Sequence, residues 1–182
     1  VDGRPEEWAA FEACYRVPFG EHLHVVRGNH DTYHHQGEYA GDQWIELPGL
    51  TVALIDTAIP GATTGSISTE QFEWLQDHCA TTDRPVFVMG HHQQWIGSGP
   101  QAKRSEDYFG LDPDASDQLD EVAVRHRCVI AYAAGHTHRH RVRRMTRAGI
   151  SSIEIGCTKD FPGTWGEYRV YESGVMQVVH RM

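Results

Sequence analysis

The stretch Cys128-Val129-Ile130-Ala131-Tyr132-Ala133-Ala134-Gly135-His136-Thr137-His138 sets an unbroken apolar run directly before a glycine and two histidines. A short run of this kind, bounded by a turn residue, fits a strand buried on both faces better than a free-standing helix. The strand predicted over 128–134 therefore delivers Gly135-His136-Thr137-His138 to its carboxyl end.

Two segments upstream repeat the pattern. A strand predicted over 85–89 stops at Gly90-His91-His92, and the β-rich run His22-Leu23-His24-Val25-Val26-Arg27 stops at Gly28-Asn29-His30-Asp31, a turn composition. Between them lie a strand over 50–56 and a helix over 68–79, with Ser68 as N-cap and Gln71 three residues on. A further helix is predicted over 116–126. Ahead of all of these, Trp8, Phe11 and Tyr15 share a helical spacing that begins just after Pro5. Beyond His138 the pattern turns to short alternating strands over 139–145, 150–155, 168–171 and 175–180, the last two forming a hairpin around Glu172-Ser173-Gly174. The fold class is α/β with a β-rich C-terminal part, and no repeat or linker divides residues 1–182 into more than one domain.

Groups at the carboxyl ends of neighbouring strands in such a sheet share one rim. The three clusters should meet there, bringing together Asn29, His30, Asp31, His91, His92, His136 and His138. Imidazole, amide and carboxylate in one place suit a divalent transition metal. A turn after the 128–134 strand can aim His136 and His138 to one side, and an amide ligand at Asn29 leaves His30, held by Asp31, free to donate a proton. His91, first past its strand, is preferred over His92 as a ligand. His34 and His35 read as ordinary loop residues; His22, His24, His78, His126, His140 and His180 are given no site role.

Composition narrows the function further. The net charge of −9 argues against nucleic acid as the main partner. Arg139, Arg141, Arg143, Arg144 and Arg147 read as the solvated face of a strand. Cys14, Cys79, Cys128 and Cys157 form no CxxC pair and read as reduced thiols, which points to a cytoplasmic location. No apolar run approaches the roughly 20 residues of a membrane span. In the loop over 97–117 and its approach, Trp95, Tyr108 and Phe109 read first as loop anchors, with base stacking as the alternative.

The order GNHD, strand-terminal His, GHTH is similar to that of the calcineurin-like metallophosphoesterases, most of all the class III cyclic nucleotide phosphodiesterase branch. The likeness runs over nearly the whole chain, including Lys159-Asp160-Phe161-Pro162-Gly163. It implies a four-layer α/β/β/α sandwich and two metal ions (Fe, Mn or Zn) bridged by water or hydroxide. Asn29, His91 and His136 would ligate the second ion and His138 the first, with His30 protonating the leaving oxygen and Asp31 orienting it. The implied substrate is a small phosphodiester or phosphomonoester, plausibly a 3',5'-cyclic nucleotide, and a homodimer is left open. The family pattern opens with DxH and GDxxD, neither intact here; Val1-Asp2-Gly3 is similar to the tail of GDxxD. The resemblance thus implies that the first strand or strands are lacking and that catalysis by this chain alone is impaired. The rival reading is a degenerate, non-catalytic module that binds one metal or a ligand.

Overall fold

The computed structural model describes residues 3–34, 37–96 and 109–182. Val1-Asp2, His35 and Tyr108, to which sequence reading assigns a motif tail, a loop residue and an aromatic anchor, lie outside the described residues, as does most of the loop that follows His92. Helix α1 (Pro5–Phe11) has Pro5 at its first position, where the missing N–H costs nothing. It runs through a π-helical turn (Glu12–Arg16) into α2 (Val17–Phe19), which stops at Gly20 with φ 56°.

The strand expected over 22–27 is not formed. A 3-10 turn (Gly20–His22) takes its first residue, and residues 23–28 have no regular secondary structure and belong to no ladder among the described residues. A β-rich run becomes a strand only where a neighbouring backbone pairs with it. Here the Gln43 side-chain amide donates to the Val25 carbonyl at 2.6 Å, and Arg27 Nε meets Asp56 Oδ2 at 2.8 Å.

The main sheet has six strands. A strand absent from the sequence reading, β1 (Gln43–Leu47), forms a hairpin with β2 (Leu50–Ile55) across Pro48-Gly49, where Gly49 takes φ 77°. Helix α3 (Thr69–Thr81) follows, its Ser68 and Gln71 making the expected reciprocal cap. Next come β3 (Val86–Gly90), α4 (Pro113–Arg125), β4 (Val129–Ala134), β5 (Arg141–Arg144) and β6 (Ser151–Glu154). Helix α4 starts three residues earlier than its apolar periodicity indicates, because Asp112 caps the Ala115 N–H and Pro113 occupies the first position. The order is β1-β2-β3-β4-β6-β5, with β2, β3, β4 and β6 parallel and both edge strands antiparallel. A ribbon of β7 (Thr164–Tyr171) and β8 (Gly174–Arg181) forms a second, two-stranded layer.

Alternation along each strand explains the continuous apolar runs. Ala53, Ile55, Val86, Val88, Tyr132 and Ala134 meet Phe72, Leu75, Leu119 and Val122 of α3 and α4. The intervening Phe87, Ala131, Ala133 and Ile153 face the ribbon through Tyr168 and Val175, and the Phe87 and Tyr168 rings meet edge to face at 4.8 Å. Full burial of a Leu or Phe contributes about 1.5–3 kcal/mol, against less than about 1 kcal/mol of helix propensity per residue. Packing therefore fixes where these elements lie. The α/β class read from the sequence is the fold observed: a helical layer, a mixed sheet and a second β layer.

A single register row aligns the carboxyl ends of the parallel strands. Ile55 pairs with Gly90, Gly90 with Ala134 and Ala134 with Glu154. Because the strands end in line, residues 56, 91 and 135 leave the sheet along one edge.

Candidate metal centre

Each donor cluster reaches that edge by its own anchor. Residues 28–31 follow the segment pinned by the Arg27–Asp56 ion pair, whose side chains are 12% and 7% exposed. Asp56 also accepts from the Gly41 and Ala58 N–H groups, so the buried carboxylate is satisfied. Beyond it, Asp31 Oδ2 accepts from the Gly28 N–H at 2.7 Å, closing the turn, and Thr32 Oγ1 donates back to the Asn29 carbonyl. Gly28 has a second reason to be glycine: a Cβ there would lie 2.5 Å from His91 Cε1. The His91 ring occupies the space a side chain would need.

At the centre three donor atoms form a nearly equilateral triangle. His91 Nε2 is 3.0 Å from Asn29 Oδ1 and 3.0 Å from His136 Nδ1, and His136 Nδ1 is 3.1 Å from Asn29 Oδ1. Ligand atoms at about 2.0–2.1 Å from one ion stand roughly this far apart when they subtend about 90° at it. The donor set therefore fits a transition metal.

The outward atoms of the same side chains set the orientation. Asn29 Nδ2 donates to the Tyr33 hydroxyl at 2.6 Å, which aims Oδ1 at the two histidines. His136 Nε2 lies 2.9 Å from the Phe109 carbonyl. A carbonyl only accepts, so the proton sits on Nε2 and the Nδ1 lone pair faces the triangle. Burial and the neighbouring imidazoles of His92, His136, His30 and His138 hold His91 well below its ordinary value. His136 is pushed down to about 4, chiefly by burial, with the Phe109 carbonyl acting in the opposite direction. Both are neutral at physiological pH, the state in which imidazole ligates.

His92, next to His91, brings a donor atom within 4.8 Å of those of His91 and His136 but is not a corner of the 3.0–3.1 Å triangle. It is fully buried with Nδ1 2.8 Å from Thr57 Oγ1, and burial pushes it down to about 3. Of the two adjacent histidines, His91 thus reaches the triangle with Asn29 and His136.

The GHTH turn carries strain. His136 and His138 have φ 65° and 54°, a left-handed conformation that costs a side-chain-bearing residue about 1–2 kcal/mol. Thr137, between them, donates from Oγ1 to Glu154 Oε2 at 2.9 Å, and the Gly135 N–H donates to the His91 carbonyl. Glu154 has a side chain only 3% exposed and is met by Arg139 at 2.9 Å and by Arg141 and Arg143 at 3.4 Å. Arg139, Arg141, Arg144 and Arg147 are exposed, as the solvated face expected from the alternation requires, yet the guanidinium groups of Arg139, Arg141 and Arg143 also close on a buried carboxylate. That carboxylate anchors the histidine turn.

His138 lines the same cleft from its exposed side. Its Nδ1 is 2.6 Å from Asp160 Oδ2, and His138, Cys157 and Asp160 bring one donor atom each within 4.8 Å of one another. The His138 hydrogen bond is the main influence holding the Asp160 carboxyl below its ordinary value. The cleft, about 330 Å³, is lined by Asn29, His30, Tyr33, Thr63, His91, Phe109, His136 and His138. His30 is exposed at its mouth, its ring 4.7 Å from that of Tyr33. Phe109 is a wall of this cleft as well as an anchor, whereas the Trp95 backbone N–H donates to Ser116 Oγ. His34 is exposed on the loop. Sequence reasoning missed Tyr33, the Phe109 carbonyl as an acceptor, Glu154, Cys157 and the function of Asp160. Of these, Tyr33, four residues after Asn29 on a turn, and Asp160, inside the Lys159–Gly163 stretch of the family likeness, left a signal in the sequence.

Comparison with known proteins agrees with this architecture. No curated protein matches the chain. Among solved structures, a dimetal phosphatase from Danio rerio is similar at a TM-score of 0.65 and 15% identity, covering 98% of this chain and 80% of that one. A purple acid phosphatase from yellow lupin (Lupinus luteus) seeds is similar at 0.45 and 15% identity, covering 77% of this chain and 25% of that one. At such identity the first likeness is one of fold. The family described as calcineurin-like phosphoesterase matches residues 1–140, and the chain belongs to that family.

Proposed function

We propose that the protein is a metal-dependent phosphoester hydrolase, with a phosphodiester of nucleotide type, such as a 3',5'-cyclic nucleotide, as its substrate. The observation that carries this reading is the triangle of Asn29 Oδ1, His91 Nε2 and His136 Nδ1 with edges of 3.0–3.1 Å. These three would hold one ion, and His138 would contribute to a second. A bound divalent ion of the Fe, Mn or Zn type supplies Lewis-acid neutralisation of the phosphoryl charge and lowers the pKa of water. His30, exposed at the mouth, gives its proton to the departing alkoxide. Asp31 serves His30 through the backbone, since its carboxylate closes the turn onto the Gly28 N–H. Tyr33 and Phe109 give the cleft aromatic walls suited to a nucleobase.

The test is hydrolysis of bis-p-nitrophenyl phosphate and of cyclic nucleotides by the metal-loaded full-length protein. His30→Ala should lower the rate about 10²- to 10⁴-fold without loss of bound metal. A metal-loaded protein that cleaves none of these esters would favour the non-catalytic binding role and sink the hydrolase reading.

A further inference from the structure

The two histidines of the GHTH turn present opposite ring nitrogens, and the reason lies in what each ring touches on its far side. For His136, Nε2 faces the Phe109 carbonyl and Nδ1 faces the triangle. For His138, Nδ1 faces the Asp160 carboxylate at 2.6 Å. An ionised carboxylate only accepts hydrogen bonds, so a neutral His138 keeps its single N–H on Nδ1, and its lone pair is on Nε2.

We propose that Asp160 is a positioning residue: it fixes the tautomer and ring direction of His138, so that Nε2 is the atom offered to a metal ion in the cleft. The loop that carries it is built for this task. The Asp160 N–H donates to Cys157 Sγ at 3.4 Å, the Gly163 N–H to the Asp160 carbonyl at 2.6 Å and the Thr164 N–H to the Cys157 carbonyl at 2.8 Å. These bonds close residues 157–164 into a turn whose carboxylate points back to the rim. Cys157 is a support in this arrangement, its sulfur accepting from the backbone. A carboxylate behind a ligating imidazole also raises its basicity, and loss of such a partner costs about 10- to 100-fold in metal affinity. The inference rests on the reading of the rim as a metal site only for its purpose; the tautomer is a property of the metal-free protein.

Long-range ¹H–¹⁵N correlation spectra of the metal-free chain at about pH 8, where an unperturbed imidazole is neutral, read the tautomers directly. His138 should carry its proton on Nδ1 and His136 on Nε2. Asp160→Ala should move the His138 proton predominantly to Nε2 and leave His136 unchanged, while Asp160→Glu should retain part of the Nδ1–H population. On titration with Zn²⁺, the concentration that shifts the His138 Nε2 resonance should rise about 10- to 100-fold in Asp160→Ala and stay within about threefold of wild type in Cys157→Ser. An unchanged His138 tautomer in Asp160→Ala overturns the proposal. So does a Cys157→Ser loss as large as that of Asp160→Ala, which would make the group a set of direct ligands. A wild-type chain that shows the expected tautomers but binds no Zn²⁺ contradicts the proposed function instead.

Discussion

The two halves of the histidine rim solve the same problem with opposite means. On the buried half, Asn29, which is 2% exposed, and the histidines His91 and His136 sit among other imidazoles, and their orienting partners are neutral: a tyrosine hydroxyl and a backbone carbonyl. On the exposed half, His138 is oriented by a carboxylate that water also reaches. Burial decides the difference. A carboxylate beside the buried imidazoles would favour their charged form, whereas a neutral acceptor fixes the tautomer and leaves the ring free to ligate. At the surface, solvent screens the partner charge, and the stronger acceptor is tolerated.

The largest effect should come from disturbing the buried half. Gly28→Ala puts a methyl group where the His91 ring lies and should weaken metal binding about 100-fold or more, measured by calorimetric titration with Mn²⁺ or Zn²⁺. Tyr33→Phe removes the acceptor of Asn29 Nδ2, and the freed amide should lower the same affinity about 10- to 100-fold while the fold persists. Glu154→Gln strips the charge that three arginines and Thr137 share. It should cost about 1–3 kcal/mol in urea unfolding, with the loss felt in the GHTH turn.

The smallest effect is one of pH. His92, held near 3 in the fold against an ordinary value of 6.5, takes up protons more readily when unfolded. Stability of the metal-free protein is therefore complete above about pH 6.5 and falls as the pH drops from there towards 3. It should be lower at pH 5 by about 1–2 kcal/mol for this one histidine. Unfolding midpoints that do not move between pH 7 and pH 5 would contradict a neutral buried cluster.

The same contrast between buried and exposed surroundings governs how much was legible in the sequence. Strands covered on both faces advertise themselves as apolar runs, so β2, β3 and β4 and the glycine-histidine clusters at the ends of β3 and β4 could be read directly. Ser68 and Gln71 marked the start of α3 through a local cap. Strand β1 escaped because Gln43, Glu46 and the Pro48-Gly49 turn obscure its alternation, and residues 23–28 misled because strand propensity carries no information about a pairing partner. The donor residues were visible as motifs. Their supports were not: Phe109 acts through its carbonyl, Glu154 lies 17 residues from Thr137, and Asp160 lies 22 residues from His138, contacts that only the folded chain creates.

On the proposed function, Asn29, His91 and His136 hold one metal ion between them. The decisive measurement is Mn²⁺ and Zn²⁺ titration of the wild type, His91→Ala, His136→Ala and the distant His78→Ala. One ion should be lost from each of the first two variants and none from His78→Ala. Equal metal content and affinity in all four proteins would contradict it.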